Sequence, residues 1–187
     1  MKKIQYNSPV VLTFFFLSLG ALVLNALTQG RSNRLVFSVY RSSLADPLLY
    51  LRFFTHVLGH GGYAHFAGNM VLFLVMGPPM EEKYGSQTLL FGILLTAFVS
   101  GVLQCLLFPG SALLGASGIV FMLILLSSLS GMKEGQIPLT LILVAVIYLG
   151  QEAYSALFVN DNVAHFMHMV GGACGTWLGF AMGGKKE

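Results

Sequence analysis

The feature that most constrains the fold of this chain is a long stretch without a charged side chain, residues 86 to 132. As one straight helix it would reach ~70 Å, more than twice the ~30 Å hydrocarbon core of a bilayer. The stretch is therefore predicted to cross a membrane twice, and Pro109-Gly110 supplies the break. A soluble protein carries charge at about a quarter of its positions. Here 9% of the residues are charged and 56% are hydrophobic, which predicts an all-α integral membrane protein.

Six apolar stretches are long enough to cross a membrane as helices. They comprise residues 9–27, 63–80, 87–108, 112–131, 137–158 and 163–182. The second is expected to close at about Met80, with Gly77-Pro78-Pro79 and Glu81-Glu82-Lys83 as the signals for its end. The opening Met-Lys-Lys and apolar run also resemble a signal peptide, but a retained first helix is favoured because no convincing cleavage site follows. No repeat divides the chain, so residues 1–187 are interpreted as one six-span domain.

An even number of spans puts both termini on one side of the membrane. Six lysines then share that side: Lys2, Lys3, Lys83, Lys133, Lys185 and Lys186. The positive-inside rule makes it cytoplasmic, and a bacterial plasma membrane fits this pattern. The first external loop, about 31–62, weakens the rule because it carries four arginines. Its apolar segments are expected to lie partly in the membrane interface. The basic residues are too few and too scattered to predict nucleic-acid binding.

Polar side chains in three predicted spans fall at one depth. Asn69, Ser117 and His168 each lie seven residues beyond the turn that opens their span. A rise of about 1.5 Å per residue places all three ~10 Å below the external surface. His65 lies one helical turn above Asn69 on the same face. Because ionisable groups at membrane depth are costly, this set is a functional candidate.

The chemistry open to this set is nucleophilic acyl transfer. A serine becomes a nucleophile when a base takes its proton, and a neutral imidazole is such a base. The side chains of Asn69 and His65, with the backbone N–H of Ser117, could hold the developing oxyanion. No Asp or Glu lies at that level, so Ser117 and His168 would form a dyad. Phe121, one turn after Ser117, could hold the imidazole by stacking.

Each member of the set also has a purely structural interpretation. Gly115 and Gly118 around Ser117 fit the small-residue contacts that membrane helices use for packing, and so do Gly171 and Gly175 on the sixth span. The polar pair on the second span could bridge helices by hydrogen bonds. The coincidence of depth on three helices favours the catalytic interpretation over these.

A metal site is the other specific alternative. His56-Val-Leu-Gly-His60 has the histidine spacing of a zinc metalloprotease helix, but Val57 stands where the general-base glutamate belongs. The five histidines could still line a metal-transport path. No carboxylate or thiol lies at their level, and no metal or organic cofactor is predicted. Glu152, inside the fifth span, either faces a water-filled cavity or lies at a helix end, and the sequence leaves both open.

Taken together, the motifs resemble those of the rhomboid family of intramembrane serine proteases over essentially the whole chain. Three patterns carry the resemblance: His56-x3-His60-x4-His65-x3-Asn69, Gly115-Ala116-Ser117-Gly118 and His168-x2-Gly171-x3-Gly175. They resemble the family's second-helix signature, its Gly-x-Ser-Gly nucleophile motif and its sixth helix. His165 does not fit the last spacing, so the base is assigned to His168. Glu81-x3-Gly85 resembles the structural turn after the family's second helix.

Two positions depart from the family's pattern. Leu51-Arg52 stands where many members have Trp-Arg, and Phe121 stands where many have tyrosine. Stacking on His168 survives the second change, whereas any contribution of a hydroxyl is lost.

The resemblance implies a six-helix rhomboid-like bundle that cleaves transmembrane or juxtamembrane segments of other membrane proteins. Ser117 and His168 would be catalytic, and Asn69, His65 and Gly115 would form the oxyanion and binding region. The resemblance also implies a small residue before the scissile bond and helix-breaking residues after it. Two alternatives stay open: a protein that binds membrane helices without cutting them, and a metal transporter. The sequence does not indicate the oligomeric state.

Overall fold

The regular structure of the chain is helical. A computed structural model describes residues 6–132, 136–158 and 162–183, and only the backbone for residues 148–149, 151–158, 162–164 and 183. Within these ranges the helices are α1 (Pro9–Leu27), α2 (Arg31–Leu35), α3 (Pro47–Thr55), α4 (Tyr63–Tyr84), α5 (Ser86–Leu107), α6 (Ser117–Ser128), α7 (Leu139–Phe158) and α8 (Asn162–Gly183). A 3₁₀ turn, His56–Leu58, follows α3. The predicted all-α class is confirmed.

Four of the predicted spans coincide with helices to within two residues at each end, namely α1, α5, α7 and α8. Among the described residues, α1 and α5 are long and apolar enough to cross a membrane by length and composition. α6 has 12 residues and reaches about 18 Å, which is less than the hydrocarbon thickness. The count of six spans therefore stays a prediction.

Several predictions fall outside the described residues. The side chain of Glu152 is one of them, as is Asp161, the turn residue from which the depth of His168 is counted. The others are five of the six lysines assigned to the cytoplasmic side: Lys2, Lys3, Lys133, Lys185 and Lys186.

The helix of the second predicted span ends four residues later than Met80, directly after Glu81-Glu82-Lys83, and the proline pair does not interrupt it. α4 continues through Pro78 and Pro79 to Tyr84, and Gly85 follows with a positive φ of 81°. The two prolines remove two backbone donors from the helix. The turn beyond them is nevertheless retained, because its residue Glu81 bonds to the start of α1. Tertiary packing outweighs the local preference of proline here.

The fourth helix begins later than predicted. The sequence places it at 112–131, whereas α6 begins at Ser117. In the segment before it, Leu113 exchanges two backbone hydrogen bonds of 2.9 Å with Val39, forming an isolated antiparallel bridge. These bonds satisfy backbone groups that helical bonds would otherwise use. The depth counted along a helix from Gly110 is therefore wrong for Ser117, which opens α6 instead of lying two turns inside it.

The core of the molecule is built around α6, which contacts α4, α5, α7 and α8. Its apolar residues are buried almost without interruption: Ile119, Val120, Met122, Leu123, Ile124, Leu125 and Leu126. A helix that is hydrophobic on all sides belongs in the centre of a bundle. The first residue of α6 is thereby held in a fixed position by the surrounding helices.

Two glycines let α8 approach α6 at backbone distance. A Cβ added to Gly171 would overlap the carbonyl of Gly118, and one added to Gly175 would overlap the carbonyl of Met122. The spacing of four residues puts both glycines on one face of α8. The packing interpretation of these small residues is therefore confirmed for the contact between α6 and α8.

A buried carboxylate joins the start of α1 to the end of α4. Glu81 is buried, and its two oxygens accept the backbone N–H groups of Val10 and Val11 at 3.0 Å. The hydroxyl of Ser86 donates to the same carboxylate at 2.6 Å. These N–H groups are among the first in α1, which no carbonyl of that helix can pair. The interpretation of the turn at Glu81–Gly85 as structural agrees with these bonds.

The close contact between α6 and α8 predicts that a methyl group added at Gly171 lowers the stability of the fold. Gly171→Ala is expected to destabilise the fold by about 1–3 kcal/mol, the range for overpacked sites. Gly150→Ala in α7 is the matched control, because a Cβ there meets no atom within 4 Å and alanine favours a helix. Unfolding by SDS in detergent, followed by circular dichroism, measures both variants. Equal stabilities would contradict the close contact.

The bonds of Glu81 predict a second difference in stability. Glu81→Ala leaves two N–H groups at the start of α1 without their acceptor. The expected loss is about 2–4 kcal/mol, because hydrogen bonds to a charged group contribute ~1.5–3 kcal/mol each and are only partly replaced by water. The neighbouring Glu82 is exposed, so Glu82→Ala should change stability by less than about 0.5 kcal/mol. The same SDS titration tests the pair, and an unchanged Glu81→Ala protein would refute the structural role.

Candidate active site

Ser117 lies at the first position of α6, directly after a turn that requires glycine. Gly115 has a φ of +124°, a region that side chains rarely adopt, and its N–H donates to the carbonyl of His56 at 3.0 Å. Gly115 and Ala116 are buried, whereas Ser117 is half-buried. The turn thus presents the serine side chain at the end of a buried helix. The N–H of Ser117 is one of the four that the helix itself does not pair.

His65 and Asn69 face this turn from the first two turns of α4. A Cβ added to Gly115 would lie 2.8 Å from Nε2 of His65 and 3.9 Å from Nδ2 of Asn69. The absence of a side chain at Gly115 therefore leaves room for both polar groups beside the peptide that precedes Ser117. The structure brings together three of the predicted site residues: His65, Asn69 and Gly115.

Both polar groups point donors at this space. Asn69 is 8% exposed, and its Nδ2 is buried without a hydrogen-bond partner among the described residues. An orphaned buried donor is costly and rare, so it marks a place where another acceptor fits. His65 is exposed, and its Nδ1 accepts the N–H of Gly61 at 3.4 Å. In the neutral ring the proton then sits on Nε2, the atom nearest Gly115.

The imidazole of His168 lies flat on the ring of Phe121. The two ring centroids are 4.2 Å apart and the planes differ by 7°. Phe121 lies one turn after Ser117 on α6. A Cβ added to Gly118 would lie 3.5 Å from the carbonyl of Met167, so the residues next to Ser117 and His168 in sequence approach each other across the helix contact. The predicted stacking of His168 on Phe121 is present.

His165 lies beside His168 on the same helix. Their ring centroids are 6.2 Å apart and the planes are nearly perpendicular, at 83°. His165 is half-buried one turn from His168. It therefore belongs to the surroundings of His168, although its spacing does not match the family motif.

The remaining histidines stabilise the loop that leads into α4. Both ring nitrogens of His56 are close to polar groups: Nδ1 lies 3.0 Å from the carbonyl of Arg52 and Nε2 lies 3.3 Å from Oγ of Ser100. Burial lowers the pKa of His56 to about 4. Burial and the adjacent His65 lower the pKa of His60 to about 4 as well. Both rings are therefore neutral at physiological pH.

Three polar residues of α5 that the sequence analysis overlooked also support the site. Thr96, Ser100 and Gln104 are buried at intervals of four residues. Ser100 contacts His56, while the amide of Gln104 donates to the hydroxyl of Ser111 at 2.9 Å. A small cavity behind Ser117 is lined in part by Thr96 and Ser100. Their four-residue spacing in an otherwise apolar helix is the signal that could have revealed them.

An apolar groove of about 580 Å³ begins at His168. It lies between α6, α7 and α8, and its lining includes Phe121, Leu141, Met169, Trp177 and Phe180. Trp177 is half exposed at its edge. Among the described residues, no group of three His, Cys, Asp or Glu side chains is placed to hold a metal ion.

Comparisons with known proteins agree on one family. A model of the Rhomboid domain matches residues 48–185. Rhomboid-related protein 2 of Mus musculus is 30% identical over 164 residues, which cover 74% of this chain and 53% of the mouse protein. Rhomboid-related protein 1 of Caenorhabditis elegans is 29% identical over 70% of this chain and 39% of its own length.

A bacterial relative shows a similar degree of identity. Rhomboid protease GlpG of Serratia proteamaculans is 28% identical over 133 residues, which cover 69% of this chain and 47% of that protein. The chain thus spans about half or less of the length of the relatives it matches. With a domain match over most of its residues, the chain belongs to the rhomboid family of membrane-embedded proteins.

Proposed function

We propose that the chain is a serine endopeptidase that cleaves transmembrane or juxtamembrane segments of other membrane proteins. Ser117 is the nucleophile and His168 is the general base. The observation that carries the proposal is the buried amide of Asn69, whose Nδ2 has no partner among the described residues and points at the turn before Ser117. A donor kept unpaired at a serine on a helix N-terminus fits an oxyanion that forms only during reaction. Membership of the rhomboid family supports the same chemistry.

The acylation step uses groups that lie around this turn. His168 accepts the proton of Ser117 as Oγ attacks the scissile carbonyl carbon, and the carbonyl oxygen becomes an oxyanion. Asn69 Nδ2, His65 Nε2–H and the backbone N–H of Ser117 donate to that oxygen. When the tetrahedral intermediate collapses, His168 gives the proton to the leaving amine. The flat contact with Phe121 holds the imidazole plane during both transfers.

The deacylation step requires water at the same place. A water molecule loses its proton to His168 and attacks the acyl carbon, and the proton then returns to Oγ of Ser117. Ser117 is half-buried and His65 is exposed, so this end of the bundle is open enough for water to enter. Hydrolysis needs no metal or organic cofactor in this scheme.

The substrate must present an unwound segment to Ser117. A helix pairs each carbonyl with an N–H four residues later, so the scissile peptide has to leave that pattern before attack. The resemblance to the family suggests a small residue before the scissile bond and helix-breaking residues after it. The apolar groove that begins at His168 has room for side chains of such a segment. The single six-span domain, cytoplasmic termini and a bacterial plasma membrane complete this proposal.

An activity-based label tests the nucleophile directly. A fluorophosphonate should label the wild-type protein in detergent, whereas Ser117→Ala should lose labelling and His168→Ala should slow it by about 10²–10⁴-fold. Ser128→Ala is the control, because this serine lies at the other end of α6 and donates to the carbonyl of Leu125. Negligible labelling of folded wild-type protein would favour a protein that binds membrane helices without cutting them.

Two asparagines that are buried in the described part of the chain, Asn69 and Asn33, separate catalysis from stability. Asn69→Ala removes a donor that is unpaired in the free protein, so kcat should fall by about 10²–10³-fold with little change in KM. Asn33 instead donates from Nδ2 to the carbonyl of His60 at 2.9 Å. Asn33→Ala should therefore lower stability by about 1–3 kcal/mol. Cleavage kinetics and SDS unfolding on both variants check this, and a normal kcat for Asn69→Ala would overturn its role.

A further inference from the structure

The loop between α1 and α4 carries positive charge that its own acidic residue does not balance. Arg31, Arg34 and Arg41 are exposed. Residues 28–62 contain one acidic residue, Asp46. Asp46 lies 2.9 Å from the guanidinium of the buried Arg52. This is the ion pair found within the described part of the chain, so the three exposed arginines face the surroundings of the protein.

The carboxylate of Asp46 is fully committed to the loop itself. Although desolvation acts to raise the pKa of Asp46, the N–H of Leu48 and the side chains of Arg52 and Ser42 hold it below the usual value. Arg52 also donates to the carbonyl of Leu35 at 2.8 Å and lies 4.6 Å from the ring centroid of Tyr40. The positive charge of the loop is therefore available to an external anion.

One of the exposed arginines, Arg34, lines a hollow of about 540 Å³. Arg34, Ser38, Tyr40 and Ala112 line it. The hydroxyl of Tyr40 donates to the backbone carbonyl of Arg34 at 3.1 Å, which fixes the two residues relative to each other. Arg41 follows Tyr40 directly in the chain.

The position of Ala112 gives the level of this hollow along the bundle. Ala112 follows Leu107, the last residue of α5, by five residues. The hollow therefore lies where a membrane-crossing helix ends, on the same side of the bundle as the turn before Ser117. That level corresponds to the headgroup region of a bilayer.

The neighbouring helix adds an apolar surface to this charge. One side of α3 packs against α5. Other large apolar side chains are exposed: Leu44 just before the helix, and Leu48, Tyr50 and Leu51 within it. A helix with this division lies in the membrane interface, next to lipid. A partner that combines an anionic group with long apolar chains fits both surfaces.

We propose that this hollow binds the phosphate group of an anionic phospholipid. Arg34 holds the phosphate by charge-assisted hydrogen bonds, for which the guanidinium fork is well shaped. Arg41, the residue after Tyr40, is exposed and adds positive charge to this part of the loop. Tyr40 borders the headgroup, and the acyl chains run along the exposed apolar side of α3. Arg31 shares a face of α2 with Arg34 and adds to the local potential.

The occupied hollow also braces the segment that leads to Ser117. Ala112 lines the hollow, and the next residue, Leu113, is joined to Val39 by two backbone hydrogen bonds. Two residues later Gly115 is bonded to the carbonyl of His56. A bound lipid therefore contacts both strands of the Val39–Leu113 bridge. The consequence for catalysis rests on the proposed function, whereas lipid binding does not.

Native mass spectrometry of the purified full chain tests the binding. Protein in micelles that contain equal amounts of phosphatidylglycerol and phosphatidylcholine should retain phosphatidylglycerol in preference. Arg34→Gln/Arg41→Gln should weaken that retention by about 25-fold, since each basic residue near a membrane surface contributes about fivefold. Lys83→Gln is the matched control, because this exposed cation lies at the far end of α4, and it should retain the lipid normally.

Competition identifies the source of the phosphate. Soluble glycerol phosphate should not displace the lipid at equal concentration, because it lacks the chains that cover α3. Equal displacement would show a site for free anions and overturn the lipid proposal. An acidic peptide with the sequence of a substrate's juxtamembrane segment is the second competitor. If this peptide displaces the bound phosphatidylglycerol and itself binds in a manner that excess phosphatidylglycerol does not reverse, the arginines bind substrate and the lipid proposal is overturned. Equal lipid retention by the double variant and the wild type would do the same.

Cleavage in vesicles then separates this inference from the proposed function. With a transmembrane substrate free of acidic residues, 30% phosphatidylglycerol in phosphatidylcholine should raise the wild-type rate severalfold. The double variant should not respond, and Lys83→Gln should respond as the wild type does. Preferential lipid retention without any cleavage would refute the protease proposal and leave the lipid site standing. Cleavage without preferential lipid retention would refute the lipid site and leave the protease proposal standing.

Discussion

The arrangement of the site depends on how closely α6 and α8 approach. Gly171 and Gly175 leave space for the carbonyls of Gly118 and Met122, so the two backbones touch. Ser117 is on one helix and His168 on the other, and the plane of the imidazole is set by Phe121, again across the same contact. In a membrane, where apolar burial does not drive helices together, close backbone packing of this kind is a main source of association. Residues without side chains therefore fix the relative positions of the residues proposed to react.

Buried polar groups of α5 and of the loop before α4 hold the segment that precedes Ser117. Gln104 holds Ser111, the carbonyl of His56 accepts from Gly115, and Ser100 contacts the ring of His56. In a low-dielectric interior each of these bonds is strong when formed and costly when broken. The extended segment 111–116 therefore has a defined conformation without regular secondary structure. Its rigidity matters because an oxyanion site requires donors placed before the reaction begins.

Much of this molecule can be read from the sequence, and the exceptions have physical causes. The boundaries of α1, α5, α7 and α8 follow from apolar length and turn residues, which are local properties. Proline at 78 and 79 failed to end α4 because Glu81 bonds to the start of α1, seventy residues away in sequence. The late start of α6 depends on pairing of Leu113 with Val39, another distant contact. The count of depth along the helices predicts that Asn69 and His65 lie near the segment of Ser117, and both side chains do lie at Gly115. The count assumes that Ser117 lies two turns inside its helix, whereas Ser117 opens α6.

The stacked histidine has a consequence for the proposed chemistry. A carboxylate partner would fix both the plane of an imidazole and the nitrogen that carries its proton, because it accepts from one defined atom. The ring of Phe121 holds the plane of the His168 imidazole instead, because the two rings lie flat on each other at 4.2 Å. Ser117 and His168 are both half-buried, so neither side chain is sealed from the surface of the bundle. The proposed dyad contains no buried carboxylate, and a carboxylate at membrane depth would be costly to hold.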